Sequence, residues 1–200
     1  MNKDFYQFGS PRTMNISLYR QTPGDKDWYQ ETACQMDDGP IADRFPLMTV
    51  FIEDRYRWPL PDVFDAGMLG DVVSERFRKL CDGFNTQLEF LPVKIERQPG
   101  IAPPTEPFWL IHPLDHVDCI DYEESEFERV GSGEDFGICM IDKLVLRPEA
   151  IGDRAIFRPA HTGRIFCSRA FRDAVEKAKL KVAFYPLPPR PGFSLKSGED

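Results

Sequence analysis

The sequence predicts an α+β fold, a mixed sheet with two strand-helix-strand units related by a weak internal repeat. Three observations predict it. First, VVSERFRKL at Val72 to Leu80 and FCSRAFRDA at Phe166 to Ala174 read alike: each places a Ser between a short apolar run and a helical stripe. Ser74 and Ser168 are natural N-caps, their hydroxyls accepting from the first turn. The stripes are Phe77, Leu80, Cys81, Phe84 and Phe171, Ala174, Val175, Ala178, each at i, i+3, i+4, i+7. Second, each helix is followed by an alternating segment closed by a proline, Gln87 to Val93 and Lys181 to Leu187. Third, all of this aligns at one offset of 94 residues (Ser168 against Ser74), with Ser74, Phe77, Arg78, Phe90 and Pro92 matching Ser168, Phe171, Arg172, Phe184 and Pro186. If the two strands of a unit share a sheet, the connection is a right-handed crossover.

Taken in order, the first 45 residues are polar, with turn signals at Pro23-Gly24 and Gly39-Pro40, and read as irregular with one early strand around Met14 to Tyr19. Leu47 to Ile52 has strand composition, and the proline-broken Trp58 to Asp62 leads into Val63-Phe64 and the first unit. Phe90 to Glu96 and Phe108 to His112 read as a strand pair around a Gln-Pro-Gly-containing loop. The front half of HVDCIDYEESEFER alternates like a strand, and its back half is an acidic run. Phe136 to Leu146 and Ala155 to Phe157 supply further strands before the second unit. The tail from Leu187 is proline-rich, then polar, and is expected to fray.

A 200-residue chain with 42% hydrophobic residues can bury a full core. Its N-terminus has no signal-peptide core and no later stretch is apolar enough to span a membrane, so a cytoplasmic location is expected. Five cysteines, Cys34, Cys81, Cys119, Cys139 and Cys167, lack CxxC spacing and fit buried free thiols better than a disulfide framework. Net charge is −8, from 25 bases and 33 acids. Asp115, Asp118, Asp121, Glu123, Glu124, Glu126, Glu128, Glu134 and Asp135 face one base, Arg129, so that stretch alone carries −8. Residues 143–197 hold twelve bases and four acids. Such polarity repels nucleic acid from the acidic patch and attracts basic partner surfaces.

Catalytic signals are sparse. His112-x3-His116-x2-Cys119, with Asp115, Asp118 and Asp121 nearby, has metal-like spacing on a helix, but Pro113 interrupts that helix and VDCID alternates as a strand. The plain alternative is two turn histidines and a buried cysteine. There is no G-x-S-x-G, and the prominent serines are caps. His161 has no acid partner identifiable by spacing. Gly131-Ser-Gly-Glu-Asp carries two acids and no lysine, unlike a phosphate loop. These absences favour a binding protein without cofactor, metal or nucleic-acid ligand over an enzyme, with a metal-dependent hydrolase or a ligand-binding regulatory module as the alternatives.

Residues of about 60–187 resemble immunity-protein family eleven of bacterial polymorphic toxin systems. The resemblance rests on PDVFDAGMLGDVVSERFRKL, LEFLPVKI, HVDCIDYEESEF, and IDKLVLRPEAIGDRAIFRPAHTGRIFCSRAFRDAVEKAKLKVAFYPL, in that order. Two departures stand out: the second helix exits through AKLKVAFY where a Gly turn is expected, and Pro99 to Pro107 is rich in proline. The resemblance implies a non-enzymatic cytoplasmic protein that binds and neutralises the C-terminal toxin domain of a cognate effector, often one delivered by contact-dependent or type VI secretion. On that view residues 1–187 form a single compact domain, with 1–59 an N-terminal decoration, 60–187 an immunity-like core and 188–200 a flexible tail. If the toxin is a nuclease its cleft is basic, and the acidic segment is placed to mimic its substrate. The expected partner-binding residues are Asp121, Glu123, Glu124, Glu126 and Glu128, with Tyr122 and Phe127 as aromatic anchors. Oligomeric state is not set by the sequence.

Overall fold

A computed structural model describes residues 4–11, 19–20, 39–52, 60–66, 70–97, 101–131, 133 and 136–188. The strands are β1 (Phe5–Gly9), β2 (Tyr19–Arg20), β3 (Met48–Ile52), β4 (Val63–Asp65), β5 (Asp71–Ser74), β6 (Leu88–Arg97), β7 (Phe108–Pro113), β8 (Glu126–Val130), β9 (Gly137–Lys143), β10 (Ile156–Phe157), β11 (Phe166–Ser168) and β12 (Ala183–Pro186). The helices are α1 (Glu75–Cys81), α2 (Pro148–Ile151) and α3 (Arg169–Lys177). The fold is α+β: a six-stranded sheet β2-β3-β6-β7-β5-β4, a four-stranded sheet β10-β11-β1-β12, and a two-stranded ribbon β8-β9. The six-stranded sheet is mixed, because β3 runs parallel to β6 while its other pairings are antiparallel.

Both serine junctions form as the sequence requires. Ser74 and Ser168 are extended N-caps (ψ 161° and 159°) whose hydroxyls accept from the N–H groups of Phe77 and Phe171. In each unit the strands flanking the helix are parallel and separated by one antiparallel strand, β7 in the first and β1 in the second. Trp109 of β7 stands opposite Val73 and Pro92, with the Arg78 guanidinium 5.3 Å from its ring centroid. Tyr6 of β1 stands opposite Cys167 and Pro186, with Arg172 at 4.5 Å. The Phe77 and Phe171 rings then meet edge to face at 5.6 Å, joining the two helices.

Strand alternation sorts the core into layers. Val72, Leu91, Val93, Phe108 and Leu110 face one side of the six-stranded sheet with Met48, Val50 and Ile52. Val73, Ile111, Phe77, Phe171, Phe8, Ile156 and Cys167 fill the space shared by both sheets and the helices α1 and α3. Phe5, Phe157 and Phe166 face the far side of the four-stranded sheet with Cys119, Ile120, Leu146 and Ile151. Asp62 couples the two units. Its carboxylate accepts from the Ser74 hydroxyl at 2.6 Å and from the Lys181 N–H at 2.7 Å, and its backbone bonds to both residues.

Several sequence expectations are corrected. The first 45 residues are not wholly irregular: Phe5–Gly9 is an inner strand, paired on both sides. Positions 14–18 of the expected early strand lie outside the described residues, and Tyr19–Arg20 is a strand. Pro92 does not close its strand; β6 continues to Arg97, and Pro92 lies one residue before β3 begins to pair, where β6 is still an edge on that side. The front of HVDCID makes isolated bridges at Val117 and Ile120 rather than a strand. His112 lies in β7 and not in a turn. Among the cysteines Cys81, Cys119 and Cys167 are buried, Cys139 is exposed, and Cys34 lies outside the described residues.

The missing glycine after the second helix is replaced by strain. Lys179 takes φ 55°, and the Lys179 and Leu180 N–H groups bond to Glu176 and Val175 carbonyls, the Schellman pattern. Lys179→Gly is therefore expected to stabilise the chain by about 1 kcal/mol, read as a higher urea midpoint at unchanged slope. A second prediction follows from Glu75, whose carboxylate accepts from Arg78 at 2.8 Å and from the Trp109 indole at 2.7 Å. The bonds from Arg78 foremost, and then the one from Trp109, hold its pKa down at about 2 from 4.5. This stabilisation is complete above the unfolded value and is lost as pH falls from 4.5 towards 2. Glu75→Gln should cost about 1–2 kcal/mol at pH 7 and flatten that part of the stability profile in denaturant titrations.

Candidate partner-binding surface

The acidic segment is held in place by a turn and a ribbon. Asp121 spends its side chain locally: one carboxylate oxygen accepts from the N–H groups of Glu123 (3.1 Å) and Glu124 (3.0 Å). The Ser125 N–H bonds to the Asp121 carbonyl at 3.0 Å, and the Ser125 hydroxyl bridges both backbone groups of Val145. The Asp121 N–H also bonds to the Val145 carbonyl, and Ile120 bridges to Leu146. The two ends of the ribbon are therefore tied together at its base.

Above this base β8 and β9 pair antiparallel, with register shifts that leave Cys139 and Asp142 as extra residues on β9. Phe127 pairs with Ile141 and Arg129 with Ile138 on one face, and Phe127, Ile138 and Ile141 pack on the core layer around Cys119 and Ile120. Glu126, Glu128 and Val130 alternate with Phe127 and Arg129, so they face outward, and Met140 stands opposite Glu128. Both expected aromatic anchors turn inward. Tyr122 is half-buried and meets Phe127 edge to face at 6.0 Å, Phe136 at 6.1 Å and His161 at 6.3 Å. Burial foremost, with Asp118 nearby, raises the Tyr122 pKa.

The inner face is pinned by a stack. The His161 ring lies parallel to Phe136 at 4.1 Å, and the Arg129 guanidinium lies 4.4 Å from the other ring's centroid and 5.6 Å from that of Phe127. Backbone bonds fix the registration: the Ile138 N–H donates to the His161 carbonyl, and His161 Nδ1 lies 2.8 Å from the Phe136 carbonyl oxygen. His161 adopts φ 63° to make these contacts. His161 thus positions the ribbon, with its Nδ1 held against the Phe136 carbonyl.

Of the seven residues expected from sequence, the structure brings all into one turn and ribbon but divides their roles. Asp121 builds the turn, Tyr122 and Phe127 face the core, and Glu123, Glu124, Glu126 and Glu128 are exposed. Glu124 forms an ion pair with Lys143 at 3.5 Å, while among the described residues Glu126 and Glu128 make none. Val130 and Met140, which the sequence reading did not single out, lie on the same ribbon and are 58% and 45% exposed. The sequence signal for them was present only as apolar residues in an acid-rich neighbourhood.

The metal-like spacing does not become a site. His112 is fully buried, its Nε2 lies 3.0 Å from the Gly39 carbonyl oxygen, and burial foremost lowers its pKa. Cys119 is buried in the layer behind the acidic turn, and burial pushes its thiol up to about 12, so it is no ready thiolate. Asp115 and Asp118 pair with Arg154 and Arg147. Among the described residues no three His, Cys, Asp or Glu side chains form a group able to hold a metal ion, and no helix is long and apolar enough to cross a membrane.

No curated protein matches the chain. Residues 10–186, most of the sequence, match the model of an immunity protein family, Imm11. This match supports an immunity role and extends the likeness seen in residues 60–187 almost to the N-terminal strand. The chain belongs to the Imm11 immunity protein family.

Proposed function

We propose that this protein acts in the cytoplasm, binding the C-terminal toxin domain of a cognate antibacterial effector and neutralising it by contact, without catalysis. The effector is of the polymorphic, contact-dependent or type VI secreted kind. The observation that carries the reading, beside family membership, is a set of exposed carboxylates at Glu123, Glu124, Glu126 and Glu128 held on a turn and the pinned ribbon that follows it. A preorganised acidic surface loses little entropy on docking and steers a basic partner towards it. A nuclease toxin fits best, since its substrate cleft must be basic and the carboxylates would occupy or flank it as phosphate mimics. Residues 1–187 act as one body in this proposal, and its two serine-capped units are copies of one ancestral element, as the offset of 94 residues that relates Val73 to Cys167 and Pro92 to Pro186 suggests.

The direct test expresses the toxin domain encoded beside this gene in a sensitive bacterium, with and without the protein, and scores colonies and co-purification. Rescue with a one-to-one complex is expected. The charge-reversed variant Glu123→Lys, Glu124→Lys, Glu126→Lys should keep its fold and lose at least about tenfold in affinity, with a flatter dependence on salt. Rescue by that variant at unchanged affinity and unchanged salt dependence would remove the acidic surface from the proposal.

A further inference from the structure

We propose that the outward face of the ribbon, with Met140 midway along it, Val130 at its tip and the acids Glu126, Glu128 and Asp142 beside them, is the docking face for a basic protein surface carrying a small apolar patch; this rests on the toxin-binding reading above. Four observations meet here. Val130 and Met140 are two of the three large hydrophobic side chains most exposed among the described residues, the other being Leu47 at 60%. Both lie on the outward side of one short ribbon, Val130 opposite Gly137 and Met140 opposite Glu128, and among the described residues they leave apolar surface in water.

The ribbon cannot turn over to hide them. Rotation by one residue would take Phe127, Ile138 and Ile141 away from the Cys119 and Ile120 layer and break the His161, Phe136 and Arg129 stack. Strand addition along β9 is disfavoured, because the extra residues Cys139 and Asp142 interrupt its regular ladder. The exposed side chains on the outward face favour face-to-face docking, an apolar patch beside charged side chains.

The rim selects the occupant. Glu126, Glu128 and Asp142 are exposed acids, whereas the nearby bases are engaged, Lys143 with Glu124 and Arg129 with the aromatic rings. Phosphate-bearing surfaces, nucleic acid or anionic lipid, are repelled, and a basic protein surface is attracted. The rim accelerates and orients encounter, and the apolar pair slows dissociation.

The two contributions separate experimentally. Calorimetry with the full chain and the toxin domain encoded beside its gene, at low and high salt, should show that Val130→Ser with Met140→Ser weakens binding at least about tenfold while leaving the salt dependence as in the wild type. Leu47→Ser, which removes an equally exposed side chain elsewhere, should bind as the wild type. In a Cys34→Ser background, alkylation of the exposed Cys139 by N-ethylmaleimide should slow at least about tenfold on complex formation, a readout that needs no change on the ribbon. A complex that forms yet is insensitive to the serine pair and leaves Cys139 unprotected overturns this face while the immunity role stands. Failure of the wild-type chain to bind or rescue overturns the toxin-binding reading and this proposal with it. A self-associated chain that the serine pair dissociates would overturn the proposal in favour of a second copy as the occupant.

Discussion

The buried carboxylate of Asp62 is the interaction on which the arrangement of the two halves depends. It accepts from the hydroxyl of Ser74, the residue that caps α1, and from the N–H of Lys181, which leaves the turn after α3. Arg76 adds a longer ion pair at 3.8 Å and bonds the Ala178 carbonyl, so the N-terminal end of one helix is fastened to the C-terminal end of the other. A carboxylate with 5% of its surface exposed is costly unless it is satisfied, and here the partners come from both units. The edge-to-face contact of Phe77 and Phe171 is therefore held at a fixed angle as well as a fixed distance. The two sheets inherit their relative placement from that pair.

The legible part of this fold was local. Serine caps and i, i+3, i+4 stripes specify helices within a dozen residues, and α1 and α3 begin where those signals put them. The strand β1 was illegible for the opposite reason. Five residues in a polar setting give no periodic signal of their own, and their partners β11 and β12 lie at the far end of the sequence. Pro92 misled because a proline blocks a strand only where its missing N–H is needed by a neighbour. Val117, Asp118 and Cys119 alternate in burial like a strand but lack a continuous ladder, which composition does not encode.

The exposure of the acidic segment was legible from its charge, and the placement of its aromatic residues was not. Carboxylates have little alternative to solvent unless paired, so a run of them announces an exposed segment. Aromatic residues within that run carry no such information. Tyr122 and Phe127 serve the core because strand alternation places Phe127 beside Ile141 and Ile138 rather than beside Glu126 and Glu128. Conversely, within the strand expected at Phe136 to Leu146, two bulges shift the alternation and leave Met140 in solvent. A register shift of one residue was enough to invert the reading.

The ribbon pairs as a sheet of two strands, apart from the ladders of both larger sheets. Its inward side chains answer to the core and its outward side chains do not. Substitution at Glu126, Glu128, Val130 or Met140 is thus separated from the packing that keeps the chain folded, and under the docking proposal mutations there would be filtered by the partner. A lineage under pressure to follow a changing antagonist gains from such a separation, since new recognition can be explored without first finding compensating stability. Were that face the docking surface, the same body could be retargeted with the cost of each trial confined to one face of one hairpin.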